Sequence, residues 1–245
     1  MAGHSKWENI KRHKAVVDAK KGKIFQKHSR EIYVATKAGG PDPDTNAALR
    51  LAIDRARAQN MPKDNIQRAI DKGSSSGDGD NFDEVTYEGY GPEGVAILVH
   101  ALTDNRNRTA TNVRTAITKP GGTMGSAGSV SYLFDRQGYI AIDRTKTDAD
   151  EDTMLMAALE AGADSFEPSE DVYEIYTEPT EFTHVRDALK EEGFELAVAE
   201  LTMVPQTSVP VAGEVKEILE KIIDNLEDDD DVQDVYHNAE MDDAE

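Results

Sequence analysis

The 245-residue chain contains no cysteine, which excludes disulfides and thiolate metal sites. It has no apolar run near the roughly 20 residues that a membrane-spanning helix needs. The opening MAGHSKW lacks the apolar core of a secretory signal, so the expectation is a cytoplasmic protein with no membrane partner. Basic residues are scarce, 27 Lys and Arg against 48 Asp and Glu, for a net charge of −21. They are also unevenly spread. Residues 1–73 hold 16 basic and 8 acidic side chains, a balance of +8, whereas the remainder holds 11 against 40 and carries −29. That asymmetry is the strongest domain signal in the chain, which is long enough for two or three domains.

The basic head is concentrated further in residues 1–38, where ten Lys or Arg face only Glu8, Asp18 and Glu31. Net charge speaks to partners rather than to fold, and the commonest cellular partner for such a head is nucleic acid. From Val16 to Ala38 there is no Pro and one Gly, so the pattern predicts one long helix. At about 100° per residue, Ile24, Phe25, His28, Ile32 and Ala35 share one arc. Lys20, Lys23, Lys27, Arg30 and Lys37 share the opposite one. The apolar stripe is expected to face the domain and the cationic stripe the solvent. Lys21 adds to the same head, and Lys6, Trp7, Lys11, Arg12 and Lys14 precede the helix. Trp7, the single tryptophan, either stacks on an unpaired base or closes the helical bundle.

Two further helices follow. Asp44 or Thr45 is expected to cap the second; Pro62 opens the third and Gly73 is expected to end it. SSSGDGD (74–80) reads as a linker. From Phe82 the periodicity is that of strands: DEVTYEGYG and GVAILVHAL form a hairpin across Gly-Pro-Glu-Gly, and a helix capped at Asp104 or Asn105 runs to Thr118. A Gly-rich loop (119–129) leads to an expected strand VSYLF (130–134). Residues 138–203 then read βαββαβ, a complete ferredoxin-like unit. A helix over 213–226 and a strand over 232–236 complete what stands before it. The expected fold is α+β: a three-helix domain (1–76) followed by two ferredoxin-like sandwiches, one (137–204) inserted into the other (81–136 plus 205–240). Three consecutive domains are the alternative.

Arg106, Arg108, Arg114 and Lys119 form a second basic island, with Asp104 the only acid near in sequence. They either hold a phosphate near a helix N-terminus or bond the acidic neighbouring domain. The loop KPGGTMGSAGS lacks the GK[ST] ending of a P-loop and runs into a strand, which rules out that nucleotide site. The six histidines show no ligand spacing; His4, His13 and His28 add to the basic head. No carboxylate pairing marks acid–base catalysis, so no enzyme, cofactor or metal is expected. Glu227–Asp231 reads as a solvated acidic turn, with electrostatic steering of the approaching polyanion or folding back onto the head as the alternatives.

AGHSKWENIKRHKAVVDAKKGKIF, with NAALRLAIDRARAQNMPKDNIQRAI, YEGYGPEGVAILV, LTDNRNRT and GGTMGSAGSVSYLF, resembles the YebC family of bacterial regulatory proteins, which includes the mitochondrial translational activator of cytochrome oxidase. The resemblance implies a helical N-terminal domain and two α+β domains. It also implies either DNA-binding transcriptional regulation or a ribosome-associated role in relieving stalled translation on proline runs. The lysine stripe itself suits phosphates better than base edges. A protein-interaction module with an acidic docking body is the reading from another class.

Overall fold

The computed structural model describes residues 7, 10, 11, 21–75, 79 and 81–241. Two compact units emerge. One comprises the described residues of His13–Ser131 and Val211–His237; the other comprises Tyr132–Pro210 with the described residues of Met1–Arg12 and Asn238–Asp243.

The first unit begins with three helices, α1 (Lys21–Gly39), α2 (Ala47–Ala58) and α3 (Lys63–Ser74). The expected start of α1 near Val16 lies outside the described residues. The apolar arc of α1 behaves as its spacing requires: Ile32 is fully buried among Leu49, Ile53, Ile66 and Ile70, with Phe25 and Ala35 packed against that cluster. Two expected caps are corrected. The N-cap of α2 is Asn46, whose side chain accepts from Leu49 N at 3.1 Å and donates to Ala35 O and Gly40 O, both at 2.8 Å. It therefore ties the start of α2 to the end of α1, beyond the reach of an ordinary cap. Gly73 lies inside α3, where an added Cβ would meet Tyr33 O at 2.8 Å and Thr36 Cβ at 2.8 Å. Its role is the close approach of α3 to α1.

A four-stranded antiparallel sheet completes this unit. The strands are β1 (Asp83–Tyr90), β2 (Ala96–Thr103), β3 (Thr123–Met124) and β9 (Val232–His237), in the order β3-β1-β2-β9. In β2 every residue but His100 is buried, as a continuous apolar run predicts for a strand covered on both faces. Helix α4 (Arg106–Thr118) is capped by Asn105, which accepts from Arg108 N at 3.0 Å. Helix α7 (Gly213–Glu227) packs with α4 and leads to β9.

The second unit holds β4 (Phe134–Asp143), α5 (Glu151–Ala161), β5 (Ser165–Pro168), β6 (Val172–Thr177), α6 (Phe182–Glu191) and β7 (Val198–Pro205). Its antiparallel sheet runs β5-β6-β4-β7. Taken in chain order this is 2-3-1-4, the ferredoxin-like arrangement. The first unit's sheet has the same spatial order when β2, β3, β1 and β9 are counted one to four, so it is a permuted copy of the same architecture. The α+β fold is thus two ferredoxin-like sandwiches, one inserted in the other, after a helical region. Two short strands, β8 (Val209–Val211) and β10 (Ala239–Met241), pair separately.

The expected strand VSYLF is corrected. Val130 sits in a loop, Ser131–Leu133 make one 3-10 turn, and the strand starts at Phe134. The cause is Glu88, whose buried carboxylate accepts from Val130 N at 2.9 Å, Ser131 N at 2.7 Å and also Gly128 N. Those amides are engaged and cannot join a strand ladder. Burial pushes the Glu88 carboxyl up, but these amides outweigh it and hold it below its ordinary value. The Gly-rich loop wraps a carboxylate of its own chain.

Candidate nucleic-acid interface

Helix α7 ends in the acidic run, and the cationic arc of α1 meets it there. Lys23 Nζ lies 2.8 Å from Asp228 Oδ1, Lys27 donates to Glu227 O at 2.6 Å, and Arg30 donates to Asp231 Oδ1 at 2.8 Å and to Leu102 O at 2.8 Å. The expectation of a stripe facing solvent is corrected for these three residues, and so is the reading of Glu227–Asp231 as a solvated turn. The physical reason is a helix C-terminus, already negative through its unsatisfied carbonyls, followed by four aspartates. Lysines and an arginine are the natural complement. The hydrogen bond to Asp228 raises the Lys23 pKa. For Lys27, burial pulls the ammonium below its ordinary value although Glu227 and Asp234 oppose it.

Asp231 is the centre of this contact. Its side chain is 4% exposed and accepts from Arg30, from Arg108 Nη2 at 2.6 Å and from Thr109 Oγ1 at 2.8 Å. Burial alone would raise its pKa, but the bonds from Arg108, Arg30 and Thr109 prevail and lower it. Arg108 also pairs with Asp104 at 2.7 Å, and Arg106 with Asp83 at 2.8 Å. The second basic island therefore divides. Arg106 bonds Asp83, and Arg108 bonds Asp104 and Asp231, all acids of their own unit and not of the neighbouring domain that the alternative expected, whereas Arg114 and Lys119 are exposed.

A second network, unmarked in the sequence, lies nearby in the same unit. Arg55 joins Glu31 at 2.8 Å to Asp234 at 2.6 Å, and His100 stands between Asp234 (3.4 Å) and Glu84 (2.9 Å). Burial would raise the Asp234 pKa, yet Arg55 and His100 hold it far below the usual carboxylate range. Burial would lower that of His100, yet Asp234 and Glu84 raise it.

Trp7 neither stacks outward nor closes the helical bundle. It is 6% exposed and packs with Tyr139, Ala141, Val172 and Tyr176 of the βαββαβ unit, so the large indole lies against side chains of β4 and β6. Lys11 lies 5.4 Å over that indole and 3.4 Å from Asp171. Lys6, Arg12, Lys14 and Lys20 lie outside the described residues. Lys21 is exposed, and so is Lys37, which donates to Asn81 Oδ1 at 2.7 Å. His28 is buried, 3.7 Å from Glu31, and adds nothing to a cationic surface. Sequence reasoning passed over the exposed cations of the shorter helices: Arg50 and Arg57 on α2, Lys63 and Arg68 on α3. Their seven-residue and five-residue spacings carry no motif; only the surplus of charge in residues 1–73 pointed to them.

A helical head with exposed cations, joined to two ferredoxin-like sandwiches and secured by an acidic turn, defines a distinct class of α+β protein. Residues 5–76 match the model of the TACO1/YebC protein N-terminal domain, and residues 82–239 that of the TACO1/YebC second and third domain. The chain belongs to the TACO1/YebC family. A probable transcriptional regulatory protein of Lactobacillus delbrueckii subsp. bulgaricus is 63% identical over 98% of both chains. One of Enterococcus faecalis is 62% identical over 98% of this chain and 99% of its own. The crystal structure of a conserved hypothetical protein from Aquifex aeolicus superposes with a TM-score of 0.81 at 45% identity, covering 94% of each chain. No helix among the described residues is long and apolar enough to cross a membrane.

Proposed function

We propose that this protein is a non-enzymatic regulator that binds nucleic acid through the phosphates, using cations of the helical bundle. One observation carries the reading. In a chain of net charge −21, Arg50, Arg57, Lys63 and Arg68 are exposed on α2 and α3, and none pairs with a carboxylate among the described residues. Acids engage Lys23, Arg30, Arg106 and Arg108, yet leave these four available to a polyanion. The relatives' name, probable transcriptional regulatory protein, favours DNA as the target and the cytoplasm as the place. Structured RNA on the ribosome is the second reading, since contacts to phosphates carry no base sequence and are available on either backbone.

The test is binding of full-length protein to labelled duplex DNA and structured RNA, followed by anisotropy over a salt series. Log affinity should fall linearly with log salt, by about 0.7–0.9 for each neutralised phosphate. Arg50→Glu with Arg57→Glu should flatten that slope and leave the fold intact, since both side chains are exposed. Absence of binding at low salt refutes the proposal. Sedimentation of the native protein with ribosomes or with DNA separates the two targets.

A further inference from the structure

Between α1 and α3 lies an open cleft of about 450 Å³, within the size range of small-ligand sites. It exists because Gly73 lets α3 approach α1, which brings Asn65, Arg68 and Lys72 opposite Arg30 and Tyr33. Phe82, just before β1, forms a further wall. Its lining is unusual for this protein. Acids outnumber bases 48 to 27 in the chain, yet among the described residues the cleft is lined by Arg30, Arg68 and Lys72 and by no carboxylate. Its exposed lining is mainly apolar, and the aromatics are set by their neighbours. Phe82 meets Tyr33 edge to face at 5.9 Å, and the Arg30 guanidinium lies over the Phe82 ring at 4.6 Å. Lys72 Nζ lies 5.4 Å over Tyr33.

A flat apolar group flanked by negative charge fits this chemistry. From it we infer that the cleft receives one unpaired nucleobase of a single strand. Phe82 and the Arg30 guanidinium form the stacking platform, the Asn65 amide meets the base edge, and the exposed Arg68 takes a flanking phosphate. Stacking on aromatic rings and guanidinium planes is how proteins hold splayed bases, and it tolerates any base because each has a π-face. The cations add an electrostatic component that a duplex shares, whereas the stacking component requires a strand whose bases are free. The inference rests on the nucleic-acid reading above and adds to it a preference for single strands.

The experiment uses full-length protein and short labelled strands of oligouridine, oligothymidine and a duplex of equal length, at matched salt. Single strands should bind more tightly than the duplex. Phe82→Leu, which keeps apolar volume and removes the π-face, should weaken single-strand binding about tenfold while duplex binding and the salt slope stay unchanged. Independently, a 4-thiouridine strand photo-crosslinked to the native protein should attach at Phe82 or Tyr33; this arm decides if Phe82→Leu fails to fold. The ratio of oligouridine to oligothymidine affinity shows whether RNA or DNA is the source of the base. Crosslinks mapping elsewhere, or a folded Phe82→Leu protein with unchanged binding, overturn the cleft and leave phosphate binding standing. No binding of any strand at low salt overturns the nucleic-acid reading, and the cleft with it.

Discussion

Arg30 and Asp231, 201 positions apart in the chain, meet at 2.8 Å with both side chains largely withdrawn from solvent. The pair joins the basic head to the acidic tail region, the two charge extremes of the sequence. Arg108 and Thr109 bond the same carboxylate, so one aspartate holds together α1, α4 and the turn after α7. A cation engaged in this way cannot neutralise a phosphate without abandoning a carboxylate.

Asp231→Asn is expected to destabilise the protein by about 2–4 kcal/mol, because it leaves buried donors facing a neutral group. The difference should depend on pH. The folded pKa lies below the unfolded value near 3.8, so the carboxylate's contribution is complete above that value and declines as pH falls toward the folded pKa. Urea unfolding of both proteins at neutral pH and well below pH 3.8 checks it. An undiminished gap at acid pH counts against the assignment.

Asp228→Asn, Asp229→Asn and Asp230→Asn together should tighten nucleic-acid binding severalfold at low salt and hardly at all at high salt. The triple change releases Lys23 from its exposed pair with Asp228 and removes repulsion that salt would otherwise screen. Anisotropy titrations at two ionic strengths provide the measurement. An equal effect at both would point to a conformational cause.

His100→Gln should cost stability chiefly on the acid side of neutrality. Asp234 and Glu84 raise the folded pKa of His100 above 6.5, so its charge contributes fully below 6.5 and is lost as pH rises through the folded value. Unfolding midpoints should differ most between about pH 5 and 6.5, above the usual carboxylate range, and converge in alkaline buffer. A gap that widens with pH would show that His100 acts in its neutral form.

Gly73→Ala should destabilise the helical bundle by up to about 2 kcal/mol. Helix propensity favours alanine by about 1 kcal/mol, but overpacking costs about 1–3 kcal/mol, and here the new methyl would meet the backbone oxygen of Tyr33. Thermal denaturation decides the sign. A stabilised variant would mean that α1 and α3 can separate freely.

Periodicity and punctuation made much of the fold legible. The apolar arc of α1, the hairpin around Gly91–Gly94 and the βαββαβ order all followed from local pattern. Gly162 and Gly193 stand just beyond their helices with φ of 96° and 92°, as left-handed cap positions require. What escaped was whatever depends on remote partners. Glu88 diverts the amides of Val130 and Ser131 across more than 40 positions. Asn46 prevails over Asp44 and Thr45 because it also reaches carbonyls of Ala35 and Gly40. The cationic arc was read correctly as a stripe and wrongly as a free one, since nothing near Lys23 or Arg30 announces Asp228 or Asp231. Phe82, Asn65 and Arg68 belong to no motif; only the packing of α3 on α1 brings them to one cleft.

Strand β9 pairs with β2, and the two are separated in the chain by the whole βαββαβ unit. During synthesis that inserted unit has all four of its sheet strands once Pro205 has emerged, while β2 still has a bare edge. Asp231 and Asp234, the partners of Arg30 and Arg55, arrive on the same late segment as β9. A nascent chain therefore displays an uncovered strand, and Arg30 and Arg55 without these two partners, until residues 231–237 are made. Synthesis of that one segment closes the sheet and supplies both carboxylates together, and a chain cut short before Asp231 would keep both marks of an unfinished protein.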